Sequence, residues 1–187
     1  MPDWREILSR DGPAAWRTAY RIVGNSADAD ECLQEACLAA WNVSRRQPVH
    51  NWRALLKRLA TTRAIDRLRD RSRRRAREEA VDGDWHDAGA PLPAQRMEDE
   101  ELIEQLRSAL AQIPRKQAEL FCLYLDQWSY QEIADLLEIS TSRVGVLLHR
   151  AREKLARILA ATLGTRCAND GQAPSGRKTK RANREPS

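Results

Sequence analysis

The sequence predicts an all-α protein built from two small helical domains. Helical spacing of apolar residues recurs along most of the 187 residues, whereas alternating strand patterns and Asn-Gly hairpin turns are nearly absent. No run of about 18 apolar residues offers a membrane span. The charged N-terminus, MPDWREILSR, lacks the apolar stretch of a signal peptide. We therefore expect a cytoplasmic protein with reduced cysteines and no membrane insertion.

The first block contains three predicted helices. The first carries an apolar stripe from Trp16 through Tyr20 and ends at Gly24. The second starts near Ser26, which we expect to be its N-cap, and the third runs from about Asn51 to Arg75.

Composition shifts divide the rest of the chain. A stretch rich in Gly, Pro and acidic residues predicts a flexible linker, and a C-terminal stretch with almost no bulky apolar residue predicts disorder. The predicted units are the first helical domain at residues 1–75, the acidic linker at 76–99, the second helical domain at 100–163 and the disordered basic tail at 164–187.

Charge is strongly segregated along the chain. The net charge is only +5, but residues 45–77 hold 13 basic and two acidic side chains, and residues 78–106 hold one basic and ten acidic side chains. A one-sign block of net +11 attracts polyanions, because each neutralised phosphate releases counterions. The alternatives are a merely solvated face and, more weakly, an acidic lipid surface. We interpret the block as a nucleic-acid-binding segment.

A second signal lies in WSYQEIADLLEISTSRVGVLLHRAREKLARIL. Ser129 and Glu132 form a capping-box pair at the start of a short helix. Glu138–Ser140 makes a tight turn, and a longer helix follows from Thr141 to about Leu159. This arrangement is typical of a helix-turn-helix, whose second helix enters the major groove, although a plain helical hairpin has the same outline.

Enzyme classes with recognisable motifs find no support. The chain lacks G-x-x-x-x-G-K-[ST], G-x-G-x-x-G, H-E-x-x-H and C-x-x-C motifs, and its three histidines lie in separate segments. We expect no catalytic, cofactor or metal site, and we interpret Cys32, Cys37 and Cys122 as small core residues. A zinc site is the weaker alternative.

Together these motifs resemble the sigma-70 family of RNA polymerase sigma factors, in the two-domain extracytoplasmic-function (ECF) group. The resemblance covers about residues 10–75 and 100–160 in the family's order. The segments that resemble regions 2.1–2.2 are Ala19–Asn25, Asp28–Glu35 and Ala40-Trp41; Asn51–Ala60 and Ala64–Arg69 resemble regions 2.3–2.4; Leu110–Pro114, Leu125, Ser129–Ala134 and Leu148–Arg152 resemble region 4.

The resemblance implies a non-catalytic initiation factor that binds core RNA polymerase and promoter DNA, with a cognate anti-sigma factor as a further candidate partner. The implied core-polymerase contacts are Asp28, Asp30, Glu31, Gln34 and Glu35. The implied −10 DNA contacts are Lys57, Thr61, Thr62, Arg63, Arg67 and Arg69. In the recognition helix we assign base readout to Thr141, Ser142 and Arg143 and phosphate contacts to His149, Arg150 and Arg152.

The chain departs from the family pattern in two places. Thr62 stands where the family commonly has Asn, and Gly145-Val146-Leu147 replaces basic and hydroxyl residues of the recognition helix. Two other functions stay open at this point. A stand-alone helix-turn-helix regulator would not need the basic block, and a nonspecific nucleic-acid chaperone would not need the helix-turn-helix.

Overall fold

In a computed structural model of the chain, the backbone is described for residues 2–79 and 94–169, and the side chains for residues 2–78 and 99–162. These residues form seven α-helices and no strand, which confirms the all-α prediction. The N-terminal bundle contains α1 (Trp4–Val23), α2 (Ser26–Ser44) and α3 (Trp52–Glu79); the C-terminal bundle contains α4 (Ala94–Gln112), α5 (Arg115–Leu125), α6 (Tyr130–Leu137) and α7 (Thr141–Asn169). No helix among the described residues is long and apolar enough to cross a membrane.

Side-chain and glycine caps fix the ends of the first helices. Asp3 caps α1 by accepting hydrogen bonds from the backbone N–H groups of Arg5 at 2.9 Å and Glu6 at 3.2 Å. Gly24 ends α1 in the left-handed region, with φ of 85°. The N-cap of α2 is Asn25, whose side chain accepts from the Asp28 N–H at 2.8 Å. The prediction of Ser26 as the cap is therefore wrong by one residue.

Small side chains let the three N-terminal helices approach closely. Leu56 and Ile65 of α3 are fully buried, and the alanines around them are buried to the same extent. These fully buried alanines are Ala15, Ala19, Ala29, Ala36, Ala40, Ala60 and Ala64. Tyr20, predicted to lie in the apolar stripe, is instead 42% exposed and stacks on Trp16 at a centroid distance of 5.1 Å.

The C-terminal bundle has its own core and also joins the core of the N-terminal bundle. One face of α5 packs with α6 and α7 in a cluster of Leu120, Leu123, Ile133, Ala134, Val144 and Leu148. The opposite face of α5, through Ala118 and Cys122, belongs to the apolar cluster that includes Ile65 and Leu68 of α3. The two bundles therefore pack against each other through apolar side chains.

Three predicted boundaries differ from the observed helix ends. Helix α3 continues to Glu79 and α4 already begins at Ala94, inside the predicted linker, because Ala, Arg and Glu in these stretches favour helix. Helix α7 continues to Asn169, past the predicted start of the tail. The remaining predicted linker, 80–93, and the predicted tail beyond 169 lie outside the described residues.

Two glycines in the N-terminal bundle allow a paired stability test. A Cβ at Gly24 would overlap the guanidinium of Arg107, which donates to the Ile22 carbonyl at 3.0 Å and ties α4 to the end of α1. A Cβ at Gly12, inside α1, would meet nothing within 4 Å. We expect Gly24→Ala to lower the free energy of unfolding by about 1–2 kcal/mol. We expect Gly12→Ala to raise it by about 0.5–1 kcal/mol.

Urea unfolding followed by circular dichroism measures both changes. Equal effects of the two substitutions would show that neither the left-handed backbone nor Arg107 constrains position 24.

Candidate nucleic-acid interface

The basic block coincides with α3, and its side chains leave that helix in two directions. Some contact α2 within the N-terminal bundle, and others contact the C-terminal bundle. All six residues predicted to contact −10 DNA already have partners within the protein. The two sets of contacts determine which groups a nucleic acid could reach.

The first direction leads to the acidic side chains of α2. The guanidinium of Arg67 lies 3.4 Å from an Asp28 oxygen and 3.3 Å from a Glu35 oxygen, and it also pairs with Glu31. Arg63 lies 3.5 Å from the other Glu35 oxygen. Burial of Arg67 opposes its charge, but the hydrogen bond and charge of Glu31, followed by Glu35, raise the pKa of its guanidinium above the ordinary value. Arg67 therefore stays cationic and is held by three carboxylates.

These pairs divide the predicted polymerase-binding residues between two faces of α2. Asp28, Glu31 and Glu35 follow spacings of three and four and share the face towards α3. Asp30 lies elsewhere on the helix, where it accepts a hydrogen bond from the Trp16 indole N–H at 2.7 Å. Gln34 is exposed. The five residues do not form one continuous acidic surface.

Gln34 borders an apolar groove between α1 and α2 that sequence reasoning missed. Leu38, one turn after Gln34, is 66% exposed, and Trp41 lines the groove as well. The full lining comprises Trp4, Leu8, Gly12, Pro13, Trp16, Leu33, Gln34, Cys37, Leu38 and Trp41. The spacing of four between Gln34 and Leu38 was the available signal, since it places them on one helical face.

The second direction leads from α3 to the C-terminal bundle. The Lys57 ammonium pairs with Asp126 and lies 5.3 Å from the centroid of the Trp128 ring. The Thr62 hydroxyl donates to a Glu119 oxygen at 3.0 Å. Arg69 donates to the Ile113 carbonyl oxygen at 2.8 Å.

Thr61 differs from its predicted role, and Arg58 makes contacts that were not predicted. Thr61 is fully buried and donates to the Lys57 carbonyl of its own helix at 2.9 Å, so its hydroxyl faces no solvent. Arg58, which was not among the predicted contacts, donates to the Leu136 carbonyl at 2.7 Å and lies 3.6 Å from Glu119. The basic composition of the segment made Arg58 a candidate contact, but no local sequence pattern distinguishes it from the neighbouring basic residues.

The helix-turn-helix has the predicted local structure. Ser129 and Glu132 form a complete capping box at the start of α6. Glu138 ends α6 with φ of 54°, and the Ser140 hydroxyl accepts from the Arg143 N–H at 3.3 Å at the start of α7. The hydrogen bonds from the Ser129 side chain and backbone hold the pKa of Glu132 below its ordinary value.

The outer face of α7 is open to solvent. Thr141, Ser142 and Arg143 are exposed at its first turn, while Val144 and Leu148 are fully buried and fix its orientation. His149 and Arg150 are exposed as well, with His149 lying 3.7 Å from Glu153. Arg152 lies 4.7 Å from the centroid of the Tyr124 ring, a cation–π contact that orients it beside α5.

Val146 is a surface residue of the recognition helix. It is 50% exposed, on the same face as Ser142 and Arg150, from which it is separated by four residues on each side. Gly145 beside it approaches Tyr130, and an added Cβ there would make ordinary contact at 3.8 Å. The recognition face is therefore mixed, with an apolar side chain between polar ones.

Among the cysteines whose side chains are described, Cys32 and Cys122 are buried in the core and Cys37 packs beside it. Burial raises the pKa of the Cys32 thiol to about 11 and that of Cys122 to about 12, and it also raises that of half-buried Cys37. Among the residues whose side chains are described, no group of three or more His, Cys, Asp or Glu could hold a metal ion.

A cationic helix beside a helix-turn-helix with an exposed recognition face is typical of DNA-binding proteins of transcription. Comparison with protein families gives the same class. The family model described as "Sigma-70 region 2" matches residues 7–74, and the one described as "Sigma-70, region 4" matches residues 103–155. The chain belongs to the sigma-70 family of RNA polymerase sigma factors, and its curated relatives place it in the ECF group.

Two curated relatives and one solved structure show the extent of the similarity. The chain is 29% identical over 161 residues to the ECF RNA polymerase sigma factor SigE of Mycolicibacterium smegmatis, which covers 86% of this chain but 63% of that protein. It is 28% identical over 153 residues to SigW of Bacillus subtilis, covering 77% and 82% of the two chains. The structure of CnrH in complex with the cytosolic domain of CnrY has the same fold, with a TM-score of 0.51, 23% identity and coverage of 83% and 86%.

The capping box predicts a pH dependence of the helix-turn-helix. Because the pKa of Glu132 is lower in the folded state, its contribution is present above the unfolded pKa of about 4.3 and is lost as the pH falls through the lower, folded value. At pH 7 we expect Glu132→Gln to have a lower melting temperature than the wild type. The difference should shrink as the pH is lowered below about 4.3.

Thermal unfolding of both proteins between pH 7 and pH 3 checks this expectation. A melting-temperature difference that is independent of pH would assign the effect to something other than the Glu132 charge.

Proposed function

We propose that this chain is an initiation factor that binds core RNA polymerase, directs it to promoters and helps to open the −10 region. The supporting observation is that two DNA-directed elements, α3 and the helix-turn-helix, lie on separate bundles that match regions 2 and 4 in the family's order. The protein acts by binding rather than by catalysis. It works in the cytoplasm, where polymerase and chromosome are found.

In the proposed −35 complex, the first turn of α7 enters the major groove. Thr141, Ser142 and Arg143 are exposed there and read base edges, and His149, Arg150 and Arg152 contact phosphates. The exposed methyl groups of Val146 suit the 5-methyl group of a thymine.

In the proposed −10 complex, α3 binds the displaced single strand. Lys57, Arg63, Arg67 and Arg69 supply the charge, and Thr62 supplies a hydroxyl that can read an unstacked base. Thr61 is buried, so its contribution is to hold the helix rather than to touch DNA. DNA phosphates must replace the carboxylates and carbonyls that these cations contact in the free protein.

Core polymerase is proposed to bind the outer face of α2. Asp30 and Gln34 lie on the α1 side of α2, and the groove beside Gln34 adds apolar area with Leu38 at its rim. Asp28, Glu31 and Glu35 are proposed to contribute from the α3 side, where they also position Arg67. A cognate anti-sigma factor is a further proposed partner, since CnrH has been solved with the cytosolic domain of CnrY.

Run-off transcription with purified core polymerase on genomic templates tests the proposal. We expect promoter-specific transcripts only when the core enzyme and this protein are both present.

The second candidate, a stand-alone helix-turn-helix regulator, is supported by the exposed recognition face alone. Operator binding without any association with core polymerase would favour that candidate.

The α2 groove predicts a strong effect of one exposed leucine. We expect Leu38→Asp to weaken binding to core polymerase at least about tenfold, because it places a charge in an apolar contact. Leu102→Asp on α4 is the matched control, since Leu102 is 50% exposed in a helix of the other bundle. Titration of labelled protein with core polymerase measures both affinities. Unchanged binding of Leu38→Asp would remove the groove from the interface.

The recognition helix predicts different roles for two arginines. Arg143→Ala should weaken the binding free energy for the preferred −35 element by about 1–3 kcal/mol and relax specificity at one position. Arg150→Ala should weaken binding to all sequences about equally. It should also lower the slope of log affinity against log salt concentration by about one unit. Val146→Ser should remove the preference for a thymine at one position.

Binding selection on randomised −35 sites checks all three variants. If Arg143→Ala leaves the selected motif unchanged while Arg150→Ala alters it, the two roles are reversed.

A further inference from the structure

A small polar cavity lies between α3 and α4, beyond the part of α3 that is proposed to contact DNA. Its volume is about 40 Å³. Residues three and four apart share one face of a helix, so each helix presents one polar face to the cavity. The polar lining residues are Arg71, Ser72 and Arg75 of α3 and Glu104, Arg107 and Ser108 of α4.

The charges that line this cavity do not balance. Three guanidiniums and one carboxylate give the lining a net charge of +2. Glu104 lies 3.3 Å from Arg71 and 3.5 Å from Arg107, so its single charge is shared between two cations. Arg75 has no carboxylate partner among the residues whose side chains are described. An anion is therefore the kind of ligand that would complete the neutralisation.

Arg107 is already held in position by the protein. It donates to the Ile22 carbonyl oxygen at 3.0 Å, and its side chain is only 19% exposed. A cation that is fixed and partly shielded from water attracts an anion more strongly than a mobile cation on an open surface. The α4 side of the cavity is thus built before a ligand binds.

Two hydroxyls add uncharged donors to the same cavity. Those of Ser72 and Ser108 make no hydrogen bond to any residue whose side chain is described. The buried side chains of Leu68, 4% exposed, and Ala111, 9% exposed, supply apolar wall beside them. Guanidiniums only donate hydrogen bonds and hydroxyls can donate them, so this donor set suits the oxygens of an oxyanion.

We propose that this cavity binds a phosphate group, with the three arginines supplying charge and the two serines supplying hydroxyl donors. A phosphate group carries a charge of about −1.5 to −2 at pH 7, which matches the net charge of the lining. Its tetrahedral oxygens can accept from both helices at once. A single water needs about 10–15 Å³ of cavity volume, so only the phosphate group enters and a sugar or base remains outside.

This site goes beyond the proposed function, because none of its residues is among the proposed polymerase, −10 or −35 contacts. The phosphate group can come from a free phosphorylated small molecule or from the backbone of duplex DNA. Both sources present the same chemistry to the cavity, and the experiment has one arm for each.

The first arm is calorimetric titration of the full chain with inorganic phosphate at constant ionic strength. We expect saturable binding at one site, and we expect Arg75→Gln to weaken it about tenfold, since a hydrogen bond to a charged group is lost. Arg74→Gln is the matched control, because it removes the same charge from the adjacent exposed residue, which does not line the cavity. Ser108→Ala, at an exposed helical position where folding is not at risk, should also weaken binding without changing the charge.

The second arm is titration of the same variants with a short DNA duplex that lacks a −35 element. Binding of inorganic phosphate that is weakened by Arg75→Gln but not by Arg74→Gln identifies a free phosphorylated ligand. If inorganic phosphate does not bind and Arg75→Gln weakens duplex binding more than Arg74→Gln, the group belongs to the DNA backbone.

Two results would overturn the site. Equal effects of Arg74→Gln and Arg75→Gln in both arms would show only a general attraction to the positive charge of α3. Absence of binding in both arms would exclude a phosphate site altogether. Run-off transcription by the wild type would still support the proposed function in either case, so the two proposals fail independently.

Discussion

The structure depends on the neutralisation of α3. Helix α3 (Trp52–Glu79) carries 11 basic and four acidic side chains, and its partly buried cations cannot pack against other elements unless those elements supply acceptors. Helix α2 supplies three carboxylates around Arg67, and α5 with the turn that follows it supplies Glu119 and Asp126. Five carboxylates of the two bundles, Asp28, Glu31, Glu35, Glu119 and Asp126, thus contact cations or hydroxyls of this one helix.

The two proposed DNA surfaces are consequently built on different principles. The helix-turn-helix has a separate apolar core and its own capping box, so its recognition face needs no contact with the rest of the chain. On α3, by contrast, Lys57 pairs with Asp126 and Thr62 donates to Glu119, and DNA must displace these two carboxylates. Recognition of duplex DNA and binding of the melted strand therefore carry different conformational costs within one protein.

The sequence predicted what depends on neighbours along the chain. The all-α fold, the capping box of Ser129 and Glu132 and the turn at Glu138 follow from local spacing, and the structure contains them. The division of the acidic residues of α2 between two faces could also be predicted from the sequence. A helix with 3.6 residues per turn places Asp30 on a different face from Glu31 and Glu35. Pairs such as Thr62 and Glu119, which lie 57 residues apart, leave no local pattern and required the structure. The end of α3 at Glu79 was missed because no Gly or Pro follows Arg75 to mark an earlier stop. Helix α7 continues to Asn169 although Gly164 follows the predicted end of the domain.

The central claim is that the cations of α3 hold the melted −10 strand, and permanganate reactivity of promoter thymines measures it most directly. Holoenzyme reconstituted from core polymerase and the wild-type chain should make thymines of the −10 region reactive. With Lys57→Ala/Arg63→Ala/Arg67→Ala, which leaves Asp30, Gln34 and Leu38 intact, we expect retained binding to core polymerase, loss of reactivity and a flatter salt dependence. Full-strength reactivity in the triple variant would contradict the account, because the strand would then be held by other residues.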